Sequence, residues 1–391
     1  MTEEPTATGP PADDVPPVTG RAPPGAPDPE SFKSAFSTYE VRENDGEIVY
    51  LGDPLANERE ILRATYDRFR EAGYDVSFDR RTGEYALVAE PRDENGRGFS
   101  WLNAVLFLAT VGTTLYSGAL WYYVFTRHDV GANPLGLLDA LPFVVGVLGV
   151  LGIHELGHYA MSRYHGVEAS LPYFIPMLPP FGTWGAVIRM QGHFPDRKSL
   201  FDVGVAGPLA GLVAAVVVTA VGLTLPPITV PESIRQSTDM LTIHFSYPPL
   251  FRAVAWAMGE RLSYGPTKAV NPMVMGGWIG MFVTVLNLLP VGQLDGGHMM
   301  RAMLGPKHER LAKLVPLAPF AVAAYVYLVT NATDSVGIWV LWGLIATVMV
   351  RVGPVTPVAE DALDRKRVAL GAVTFVLGVL CFTPVPISIS A

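Results

Sequence analysis

Apolar residues follow two different patterns on either side of Phe99. On the N-terminal side the pattern is short-range. Ile48, Tyr50 and Leu51 predict a strand closed by a turn at Gly52-Asp53-Pro54. Ile61, Leu62, Thr65, Tyr66 and Phe69 recur at helical spacing until Gly73. Tyr74, Val76 and Phe78 then alternate, as do Tyr85, Leu87 and Ala89 after a turn at Arg80–Gly83. Together these predict a small cytoplasmic α+β module over residues 36–98, near the lower size limit for independent stability. Residues 1–35 are rich in Pro, Ala, Gly and acids, with little apolar bulk to offset ordering entropy, and are expected to be disordered.

Beyond Phe99 the apolar runs are long. A helix needs about 20 apolar residues to cross the hydrocarbon core. The candidates are Trp101–Phe125, Leu141–Tyr164, Leu200–Leu225, Pro272–Leu289, Leu311–Val329, Val336–Val350 and Val368–Thr383, of which the sixth is short. The expected fold is therefore mostly α: a polytopic membrane protein of six to seven spanning helices over residues 99–391, behind the small α+β module. Leu171–Gly192 is apolar but too rich in Pro and Gly for one helix, and Tyr173-Phe174-Ile175 and Ala186-Val187-Ile188 within it read as short extended segments. Phe251–Met258 is expected to lie on the surface as an amphipathic segment.

Composition sharpens this division. Half of the 391 residues are apolar and only 16% are charged, against about 25% in an average soluble chain. The net charge of −8 argues against a nucleic-acid partner, which calls for clustered Lys and Arg. The single cysteine, Cys381, excludes a disulfide framework and a cysteine metal cluster. No basic flank precedes an early apolar stretch, so no cleavable signal peptide is expected. The basic residues orient the chain in a cell membrane. With the N-terminus cytoplasmic, Arg163, Arg189, Arg197 and Lys198, then Arg301, Lys307, Arg310 and Lys313, and then Arg351, Arg365, Lys366 and Arg367 all fall inside. Asn331-Ala332-Thr333 then forms a glycosylation triplet on the outer side.

The chemistry begins at His154-Glu155-Leu156-Gly157-His158. Histidines four apart on a helix share a face and can hold one tetrahedral zinc, with the glutamate beside it to take a proton from the bound water. The bland alternative is a pair of satisfied helix histidines. Here the motif lies in an apolar helix, where ionisable groups are costly and a metal ion supplies the compensating charge. Two histidines leave the site a ligand short. Besides His128, His165, His193, His244, His298 and His308, the acids Asp202 and Asp295 stand in apolar surroundings. Asp202 is explained by an interfacial pair with the nearby Arg197 and Lys198. Asp295 follows Pro290 and Gly292 and precedes Gly296-Gly297, residues that break the helix and let a carboxylate turn toward the metal. A helix cap is its bland alternative.

The pair His154-Glu155-x-x-His158 and Asn287-x-x-Pro290-x-x-x-Leu294-Asp295-Gly296 resembles the site-2 protease family of intramembrane zinc metalloproteases, over roughly residues 140–310. Ala206-Gly207-Pro208-Leu209-Ala210-Gly211 extends the likeness, and Leu171–Pro176 with Gly182–Arg189 looks like the branch that includes chloroplast homologues. The resemblance implies His154, His158 and Asp295 as ligands of one zinc per chain and Glu155 as general base. Asn287 is implied as a second catalytic residue, which positions the scissile peptide or stabilises the oxyanion. It implies membrane-spanning protein substrates, cleaved within the lipid bilayer. Two rivals remain: a zinc transporter or metal-gated channel, and a non-catalytic membrane adaptor. The intact Glu155 weighs against the adaptor, and the gathering of polar groups in one place weighs against the transporter.

Overall fold

The computed structural model describes residues 22–44, 46–81, 83–92, 100–191, 193–236, 242–330 and 332–390. Two compact units emerge: one of residues 1–96 with 192–196 and 357–359, the other of the remainder. In the first, strands β1 (Phe36–Asn44), β2 (Glu47–Pro54), β3 (Tyr74–Arg81) and β4 (Glu84–Pro91) form an antiparallel sheet in the order β1-β2-β4-β3. Helix α1 (Glu58–Glu71), capped by the Asn57 side chain, buries Ile61, Leu62, Tyr66 and Phe69 against Ile48, Tyr50, Val76 and Leu87. This is the face that the periodicity predicts.

Two features depart from the expected boundaries. The stretch taken as disordered, residues 1–35, is ordered from residue 22 as far as it is described, and residues 1–21 lie outside the described residues. A 3-10 turn at Pro29–Phe32 drops the Phe32 ring between Tyr50 and Phe69, and the Tyr50 hydroxyl donates to the Pro27 carbonyl. Phe32 anchors this segment in the module's core, with Ala26 and Ala35 packed against the same cluster. The module also recruits two distant segments. Val358 and Ala359 donate to the carbonyls of Phe194 and Pro195, and the Tyr66 hydroxyl donates to that of His193.

The second unit is helical. Its main helices are α2 (Trp101–Trp121), α3 (Leu141–Tyr164), α4 (Arg197–Thr224), α5 (Pro249–Met258), α6 (Val274–Asn287), α7 (Asp295–Leu304), α8 (Leu317–Tyr325), α9 (Val336–Val352) and α10 (Arg365–Leu380). Helices α3, α4 and α6 pack on one another, and α7 packs on α4. A hairpin of β5 (Tyr173–Pro176) and β6 (Thr183–Val187) follows α3, in the register Tyr173↔Val187, Phe174↔Ala186 and Ile175↔Gly185, with β5 against α2. The broken apolar stretch thus folds back as two short strands.

The span count differs from the six to seven expected. Among the described residues four helices are long and apolar enough to cross a membrane, or five if the pair around residues 312–317, bent by 60°, is one span. The run Pro272–Leu289 yields only 14 helical residues, and these are covered mostly by protein. Apolar sequence marks burial and does not distinguish a lipid neighbour from a helix neighbour. Helix α5 exists where an amphipathic segment is expected, but Phe251 is fully buried beneath it while Trp256 is exposed. Asn331 of the sequon lies outside the described residues.

Candidate metal centre

Helix α3 carries His154, Glu155 and His158, all buried. Its approach to α4 is set by missing side chains. A Cβ at Gly207 would overlap the His158 ring, and one at Gly211 would lie 2.8 Å from His154 Nδ1. The Ala206–Gly211 stretch is therefore the floor on which both imidazoles rest. The His158 Nδ1 proton is donated to the Val203 carbonyl at 2.8 Å, which turns Nε2 inward, toward Asp295.

The facing wall comes from the end of α6 and the start of α7. Asn287 is the last residue of α6 and Asp295 the first of α7. Between them the chain reverses at Pro290 and Gly292, whose φ of +55° lies where a side chain is strained and whose Cβ would meet the Met349 carbonyl at 2.6 Å. His308 Nε2 donates to the Pro290 carbonyl at 2.9 Å and pins this turn. The helix breaks where the sequence predicts, and the Asp295 carboxylate points at the histidines.

The five residues singled out in the sequence meet in one place. Asp295 Oδ2 is 3.3 Å from His154 Nε2, and Asp295 Oδ1 is 3.2 Å from His158 Nε2. The two Nε2 atoms are 3.2 Å apart, and Asn287 Nδ2 lies 3.3 Å from His154 Nε2. Two imidazole lone pairs and a carboxylate repel one another unless a proton or cation sits between them. Asp295 Oδ2 is buried and makes no hydrogen bond among the described residues. Two nitrogens and one carboxylate make a donor set that suits zinc with a position left open.

These groups open into a cavity of about 310 Å³ whose opposite wall is the hairpin, from Trp184 to Ile188, with Trp342 of α9 and His298 of α7 also lining it. Ile188 and Glu155 both line this cavity, from the hairpin and from α3. Asp202 pairs differently from expectation. Its partners are Arg367 and His165, while Arg197 donates to the carbonyls of Ala302 and Met303. Sequence reasoning missed Trp342 and the Val203 carbonyl. The second is a backbone group, which leaves no residue signature, and Trp342 lies far along the chain in an ordinary apolar run.

A sequence model of the family described as peptidase family M50 matches residues 142–326. The Arabidopsis thaliana protein named probable zinc metalloprotease EGY1, chloroplastic, is 32% identical over 322 residues, which cover 77% of this chain and 56% of that protein. Probable zinc metalloprotease EGY2, chloroplastic, of the same plant is 30% identical over 253 residues, 64% and 43% of the two chains. The plant's probable zinc metallopeptidase EGY3, chloroplastic, is 27% identical over 380 residues, 90% and 63%. The chain spans about half the length of the first two. No solved structure matches it.

Proposed function

From the premise that residues 142–326 belong to peptidase family M50, the site-2 protease family, we propose that this chain is a zinc metalloendopeptidase that cleaves membrane-spanning segments of protein substrates inside the bilayer. The observation that carries the reading is the convergence of His154, His158 and Asp295 beside Glu155 in a cavity bounded by a strand edge. Zinc held by these three residues would supply Lewis acidity and bring a bound water's pKa near 7.

The chain's own groups divide the remaining work. A Glu155 carboxylate oxygen accepts the proton of the attacking water and passes it to the leaving amine. Asn287 Nδ2 donates to the oxyanion as it develops. A peptide bond inside a helix is shielded, so the substrate is held extended along β6 by strand addition. The Arg189 N–H donates to the Ser170 side chain and its carbonyl accepts from the Ser170 N–H, so Arg189 faces the neighbouring strand. Alternation along the strand then puts the Ala186 N–H on the open, cavity-facing edge and the Val187 N–H toward Tyr173.

A transport path would spread ligands across the membrane. Among the described residues, His154, His158 and Asp295 are the one group of three able to hold a metal. Purified protein in liposomes should cut a single-span substrate within its apolar segment, as located by mass spectrometry, and a chelator should stop the reaction. Cleavage confined to the segment outside the bilayer would overturn the intramembrane reading. The distribution of basic residues supports an orientation in which the N-terminus and the site's open side of this multi-pass membrane protein face the cytoplasm. With Cys381 replaced by Ser, Lys307→Cys should resist an impermeant thiol reagent added to intact cells, and labelling from outside would reverse this orientation.

A further inference from the structure

Helix α10 lies beyond the family match, yet its first turn is tied to α4 one turn before the floor of the metal centre. Arg367 donates from Nε to Asp202 Oδ1 and from Nη2 to Asp202 Oδ2, both at 2.7 Å, and from Nη1 to Asp364 Oδ2 at 2.6 Å. Asp202 Oδ2 also accepts from His165 Nε2 at 3.0 Å, and His165 caps the C-terminus of α3. One carboxylate on α4 therefore joins the end of the helix that carries His154 and His158 to the start of α10. The next residue, Val203, supplies the carbonyl that takes the His158 Nδ1 proton. Helix α10 is held close to this point. A Cβ at Gly371 would lie 3.0 Å from the Phe201 ring and 2.6 Å from Met303 Sδ.

We propose that Arg367 is a positioning residue for the metal centre, acting through Asp202 to lock α3 against α4 and keep the Val203 carbonyl in line with the His158 ring. The inference rests on the metal-site reading above. The physical reason for arginine is its planar fork, which grips both oxygens of Asp202 and leaves a third donor for Asp364. Without it the half-buried Asp202 keeps His165 from this set and relaxes toward water, and the α3–α4 register loosens at the point where the ligand imidazole is aimed. Partners one step behind a metal ligand change affinity about 10- to 100-fold, and a group acting through one intermediate belongs at the lower end.

The test uses the full-length protein in detergent, with zinc affinity from chelator competition and the visible spectrum of the cobalt-loaded protein as a report of ligand geometry. Arg367→Met should weaken zinc binding about tenfold and shift the cobalt spectrum, with Arg367→Lys intermediate. Asp202→Asn, nearly isosteric and less exposed to a folding defect, should do the same, and the double variant should be no worse than the single ones. Thr374→Val removes a buried hydroxyl from the same helix without touching Asp202, and should leave both readings at wild type. Wild-type affinity and spectrum in both Arg367→Met and Asp202→Asn would overturn the inference, as would an equal loss in Thr374→Val. A wild type that takes up no cobalt would overturn the metal site itself, and this inference with it.

Discussion

The two walls of the cavity are built on opposite principles. The helical wall, from α3, α4, α6 and α7, is closed so tightly that a methyl group at Gly207 would overlap the His158 ring and one at Gly211 would crowd that of His154. It carries the groups assigned to chemistry, and His158 among them is held by the Val203 carbonyl. The hairpin wall is a sheet of only two strands, with Trp184 and Val187 exposed and one edge of β6 facing the cavity. It offers backbone and apolar surface. The contrast teaches that catalytic groups need a rigid frame, whereas a grip on an unwound peptide needs an unpaired edge and tolerates many side chains.

That difference can be broken from either side. The largest effect is expected on the helical wall. Gly207→Val drives a branched side chain into the His158 ring and should lower zinc affinity by about a hundredfold or more, with turnover lost alongside; near-normal zinc by elemental analysis would show that the α3–α4 seam is softer than its contacts imply. On the hairpin wall, Ala186→Pro deletes a cavity-facing donor. It should cut kcat/KM for a membrane-spanning substrate about tenfold while leaving zinc unchanged. Full activity in that variant would mean that the hairpin shields the site without pairing with substrate, and loss of zinc would mean that the two walls are one structural unit.

The same contrast decides what could be read from the sequence. His154, Glu155, His158 and Asp295 were legible because ionisable side chains in apolar runs demand a reason. The hairpin was legible because Pro172, Pro176, Pro179 and Pro180 forbid a helix. Span number was not, since the run containing α6 is apolar for contact with α3 and α4 as much as for lipid. Nor was the pairing of Asp202, whose sequence neighbours Arg197 and Lys198 were the natural guess. Arg367 reaches it only because α10 returns to pack beside Phe201. Order at Phe32 was missed because composition averages over a segment, while its few apolar side chains, Phe32 foremost, are buried in the module's core.

The central claim is that binding and chemistry are separable within one helix turn, with His154 and His158 holding metal and Glu155 moving the proton. Glu155→Gln keeps size and shape and removes the proton acceptor. Zinc per chain and turnover of a membrane-spanning substrate, measured on the same preparation, test this directly. The account predicts zinc at the wild-type level, close to one per chain, and turnover reduced about a thousandfold or more. Proteolysis near the wild-type rate, with contaminating proteases excluded, would contradict it.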